Sequence, residues 1–184
     1  MVKFTNVLFL LFIVPFSCSY RGTVNNDSIN VSTNLDYDSL RQKFKDSLDK
    51  GLENVNDFYK LYTYVQKATL DSAITGFEKR TKLKITVITF DSTMTSSDSV
   101  ESATRIIGIK NKINTTIGIS PDFKKMYIWN DSLINNTVFT QHETKEVIEE
   151  KFIPSFIKGN FYEGTSKGLE AITTTIEKRL TVNF

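Results

Sequence analysis

The sequence is poor in the residues that most enzyme chemistries need. Cys18 is the only cysteine and His142 the only histidine among 184 residues. A single cysteine excludes an internal disulfide, and the pair excludes any His/Cys metal spacing and any Cys nucleophile with a His base. A histidine-type phosphatase or a serine triad lacks its base unless His142 supplies it, and His142 falls in the first turn of a predicted helix, the place of a solvated surface residue. No glycine-rich phosphate loop is present. The 23 basic and 21 acidic side chains leave +2 with no basic run, so nucleic acid is not an expected partner. Nothing after the N-terminal segment is apolar enough to cross a bilayer.

What is present begins at that N-terminus. Lys3 precedes ten apolar residues, Val7 to Phe16, which is the order and length of a signal peptide over residues 1–17. Cys18 follows Ser17 and resembles the lipidated first residue of a bacterial lipoprotein; the alternative is cleavage after Ser19. Both readings export the chain, and removing residues 1–17 takes only Lys3, leaving +1. Residues 18–37 read as a flexible, lipidated tether that places the protein on a membrane facing the periplasm or cell exterior. Asn30, Asn114, Asn130 and Asn135 would be glycosylation acceptors only in a eukaryotic secretory route, against which the lipoprotein pattern argues.

The remainder reads as one α/β domain. Asp38, Leu40, Phe44, Leu48 and Gly51 predict a peripheral helix within residues 38–54. Ile85 to Phe90 is the best strand, a nearly unbroken β-branched and aromatic run suited to burial on both faces. Val55 to Phe58 predicts a short strand or extended entry, and Thr116–Ser120 with Lys125–Trp129 an edge hairpin turned at Pro121. Capping spacings at Thr63/Gln66, Asp98/Glu101, Thr140/Glu143 and Asn160/Glu163 open helices. Gly108 is expected to end the second of these, Pro154 to break or restart the third, and Gly164 with Gly168 to let the last approach the sheet. The expected architecture is a three-layer α/β/α sandwich around a small mixed sheet, parallel at the centre with an antiparallel edge hairpin.

Carboxylates are the remaining candidates for chemistry. Ligands of α/β sheets collect beyond the C-terminal strand ends, and a right-handed crossover from Val55 to the central strand brings Asp57 and Asp91 to that edge, where Asp122 joins them if the third strand is parallel to the centre. Together they could hold Ca²⁺ or Mg²⁺ through oxygen, with no organic cofactor. Equally, Asp57 caps a turn, Asp91 stops a strand and Asp122 is turn chemistry. Asp131 falls at the opposite edge. Phe58, Tyr59, Tyr62 and Tyr64 are expected to pack the first helix onto the sheet.

From Val55 to about Leu180 several stretches, in order, resemble the TPM domain, a family with thylakoid-lumen phosphatase-like, photosystem-repair and channel-accessory members. They are Val55–Phe58, Phe77–Thr81 followed by Ile85–Thr89, Ile107–Lys110, and above all Phe152–Gly164, similar to the family's I-x-P-x-F-[KR]-x-G-[DN]-[YF]-x-x-G. The chain departs from the family pattern at Ile107, Asn114–Thr116, Lys124 or Lys125, and Asn130–Ser132, all around the edge hairpin. The resemblance implies a membrane-anchored accessory or binding module acting on envelope membrane proteins. It implies, as the alternative, a metal-assisted acid phosphatase, a phosphomonoester hydrolase, working through the carboxylates.

Overall fold

A computed structural model describes residue 46, residues 51–91 and residues 99–182. The signal peptide, Cys18, the tether, most of the peripheral helix and the Asp98 cap lie outside the described residues. Four strands form one sheet in the order β1-β2-β3-β4: β1 Val55–Asp57, β2 Ile85–Thr89, β3 Thr115–Ser120 and β4 Lys125–Asn130. β1, β2 and β3 run parallel and β4 returns antiparallel to β3. Every residue of β2 and β3 is buried, as runs covered on both faces require.

Side chains alternate between the faces. One face carries Ile85, Val87, Ile117, Ile119 and Ile128 and packs with Leu70, Ile74, Phe77, Phe152 and Ile172. These come from α1, Tyr64–Thr81, from α5, Phe161–Val182, and from the segment between β4 and α5. The other face carries Ile88 and Phe90 and packs with Val100 and Ile107 of α2, Val100–Lys110. Helices therefore cover both faces, and the fold is the expected three-layer sandwich.

The Thr63 and Thr140 capping boxes form in full, with both reciprocal bonds present. They start α1 and α3, Gln141–Val147. At the other end of α1, Lys82 turns left-handed at φ 64° and its N–H reaches the Glu78 carbonyl. A π-helical turn, Ile148–Phe152, joins α3 to α4, Ile153–Phe156, and Pro154 lies in the first turn of α4. Proline restarts the helix here because that position needs no N–H donor.

Three expectations are corrected. Gly108 does not end α2, which continues to Lys110; a Cβ at Gly108 would run into the Trp129 ring and Thr116 Oγ1, so this glycine serves close packing. Gly164 and Gly168 of α5 face Phe156 and Phe152 of the preceding segment, rather than the sheet. Of the four aromatics near α1, Tyr62 is buried with its hydroxyl 2.9 Å from Thr165 Oγ1. Phe58 packs in the α2-side cluster, Tyr59 reaches Asp122, and Tyr64 is 87% exposed.

Candidate functional site

Asp57 ends β1 directly beside Thr89, its register partner on β2. Its Oδ1 accepts the Leu61 N–H at 2.9 Å and the Thr89 hydroxyl at 2.7 Å, while Oδ2 accepts the Tyr62 N–H at 2.9 Å. The Thr89 hydroxyl oxygen in turn accepts the Tyr59 N–H at 2.9 Å. Residues 58–62 are thus wound around one half-buried carboxylate, which satisfies amides that the tight turn would leave unpaired. Three of the roughly four acceptor positions of a carboxylate are in use.

Asp91 and Asp122 lie at the same edge, beyond β2 and β3. The Tyr59 hydroxyl donates to Asp122 Oδ1 at 2.7 Å. That bond, then burial and the charges of Asp122 and Asp91, push the Tyr59 pKa up. The three sequence-predicted carboxylates therefore do share an edge, but in different settings: Asp57 is built into a turn, whereas exposed Asp122 is held by Tyr59. A hard cation at this edge would compete with the Tyr59 hydroxyl for Asp122 and with two backbone amides for Asp57. Among the described residues no three His, Cys, Asp or Glu side chains are grouped to hold a metal ion. Asp131 stands apart, where it accepts the Asn114 amide at 2.6 Å and the Ile134 N–H at 2.8 Å. His142 is on the surface, 3.3 Å from Glu146 one helical turn on.

Beside the end of β3, a groove of about 420 Å³ opens between the edge hairpin and the turn from α4 to α5. Ile119 and Met126 line it from the hairpin, with Lys124 and Lys125. Ile153, Phe156, Ile157 and Phe161 line it from the helical side. The Phe156 ring packs on Phe161 at 5.0 Å and edge-on to Phe152 at 5.8 Å, which fixes that wall. Ile157, however, is 80% exposed. The groove was not foreseen from the sequence; its one signal was Ile157, an apolar residue beyond those the short helix needs for packing.

A three-layer sandwich with three parallel strands, an antiparallel edge and a carboxylate-capped first turn defines the structural class. The family model of the TPM domain matches residues 55–175, and the chain belongs to that family. It is similar to the N-terminal domain of a protein from P. gingivalis, at 18% identity and TM-score 0.60, over 77% of this chain and 90% of that one. It is similar also to the N-terminal domain of the cg2496 protein from Corynebacterium glutamicum, at 13% identity and TM-score 0.54, over 68% of this chain and 81% of that one. At such identities the likeness concerns the fold. No curated protein matches the chain.

Proposed function

We propose that this TPM-domain protein is a non-catalytic binding module, exported and held at a membrane through a lipid on Cys18, that engages an envelope membrane protein. The observation that carries this reading is the apolar groove with exposed Ile157 on its wall and Lys124 and Lys125 along it. Isolated exposed aliphatics are ordinary, but one that continues an open apolar groove extends a contact surface. The lysines select the occupant by charge: a segment with apolar anchors and acidic neighbours. The engagement of Asp57 by its own turn supports the same reading, because three bonds within the turn and to Thr89 hold that carboxylate away from easy use as a ligand or base.

The test is a fluorescence-anisotropy titration of the protein with a labelled ten-residue peptide alternating leucine and glutamate, beside a leucine/lysine peptide and a glycine/serine peptide. Saturable binding of the first alone, weakened at least about tenfold by Ile157→Asp, is expected. Equal binding of all three, or binding unchanged in Ile157→Asp, contradicts the proposal. Anchoring is read separately, as palmitate incorporation in a bacterial host that Cys18→Ala abolishes.

A further inference from the structure

On the other side of the sheet, a second cavity of about 350 Å³ lies between α2 and β4 and extends to the residues after β4. Its residues are chemically unlike those of the apolar groove. Trp129 and Tyr127, on the α2-facing side of β4, supply two half-buried aromatic rings. Trp129 is fixed against α2, since its ring occupies the space a Cβ at Gly108 would need. Glu101 and Arg105, one helical turn apart on α2, supply one charge of each sign, and Asn135 and Gln141 supply amides from the segment after β4.

The wall behind these groups is held by bonds within the fold. The Asn130 amide accepts the Thr115 hydroxyl and donates to Thr144 Oγ1, both at 2.9 Å. Tyr127 faces Glu101: burial, then that carboxylate's charge and hydrogen bond, raise the tyrosine pKa. Glu101 is thereby tied to Tyr127, and with Arg105 the charge along the cavity sums to zero. Neither an anion nor a cation is selected. What lines the cavity beside that pair is the Trp129 ring, the amides of Asn135 and Gln141, which donate and accept, and the Arg105 guanidinium, which only donates. A pyranose matches that set, because it carries a C–H face for an aromatic ring and neighbouring hydroxyls that each donate and accept.

We propose that the α2–β4 cavity is a binding site for a neutral saccharide ring, stacked against Trp129 and hydrogen-bonded by Asn135, Gln141 and Arg105. This inference is independent of the apolar groove. Trp129 is the only tryptophan of the chain, so its emission reports this cavity alone. The full chain is titrated with glucose, galactose, mannose and N-acetylglucosamine and their disaccharides, with glucuronate and glucose 6-phosphate as charged arms. At least one neutral sugar should shift the emission saturably, and Asn135→Ala and Gln141→Ala should each weaken it about tenfold with the circular dichroism spectrum unchanged. Ile157→Asp, in the other groove, should leave it intact. No response to any neutral sugar at millimolar concentration, unaltered affinity in both amide variants, or tighter binding of the charged arms overturns the proposal.

Discussion

The sheet face under α1 and α5 is filled by bulk, whereas the face under α2 is filled by close approach. On the first, Ile85, Val87, Ile117 and Ile119 meet Phe77, Phe152 and Ile172, all essentially without solvent exposure. On the second, Thr86, Thr116 and Gly118 lie in line with Ile88 and Phe90, and a single helix comes down onto them through Thr104 and Gly108. A core built from large side chains fails when atoms are removed; a contact built from missing side chains fails when atoms are added. The same contrast separates the two cavities, one apolar beside the first face and one polar beside the second.

The strongest break in this comparison is expected from Phe152→Ala, which empties a fully buried ring site packed against Gly168 and should cost about 3–5 kcal/mol, read from urea unfolding. Gly118→Ala should cost about 1–3 kcal/mol for the opposite reason, since the new Cβ would overlap Thr104 Oγ1. Adding Thr104→Ala should return part of that loss, and a double-mutant cycle with no coupling would show that the close approach is not what matters. Thr116→Val should stabilise by up to about 1 kcal/mol, because Thr116 Oγ1 is buried and has no hydrogen-bond partner among the described residues. Loss of stability in that variant would mean the hydroxyl has a partner.

The smallest effect concerns acid. Glu143 pairs with Arg179 of α5 while it closes the Thr140 capping box. Burial opposes its ionisation, but hydrogen bonds from Arg179 and Thr140 outweigh it and hold the carboxyl below the usual glutamate range. A folded pKa below the unfolded value gives stability present above the unfolded pKa and lost as pH falls through the folded one. Glu143→Gln should therefore flatten the acid side of the stability profile below about pH 4.5 and leave the profile near neutrality parallel to the parent. An unchanged acid limb would show that the pair adds nothing.

Features carried by local chemistry were legible in the sequence. Thr63/Gln66 and Thr140/Glu143 cap helices because both partners lie within one turn, and Ile85–Phe90 announces burial by its composition. The shared edge of Asp57 and Asp91 followed from the crossover alone, and Asp122 joins them because β3 runs parallel to β2. What could not be read depends on distant partners. Gly108 looks like a helix stop until Trp129, from β4, is known to occupy its side. Gly168 similarly answers to Phe152. The apolar groove joins residues about 119–126 to residues about 153–161, and no spacing rule relates them. For Asp57, the sequence left a turn cap and a cation ligand open, and the bonds to Leu61, Tyr62 and Thr89 show the carboxylate at work in the turn.

The most direct measurement is photocrosslinking in cells from a photoreactive residue at position 157 of the full chain, with the adduct identified by mass spectrometry. The account predicts one dominant adduct with a membrane protein of the envelope, through a segment that carries acidic residues beside apolar ones. It should weaken in Lys124→Glu/Lys125→Glu and persist in Asp122→Asn. No adduct, or adducts spread over abundant soluble proteins and indifferent to the lysine changes, would contradict the claim that this groove is the protein's working surface.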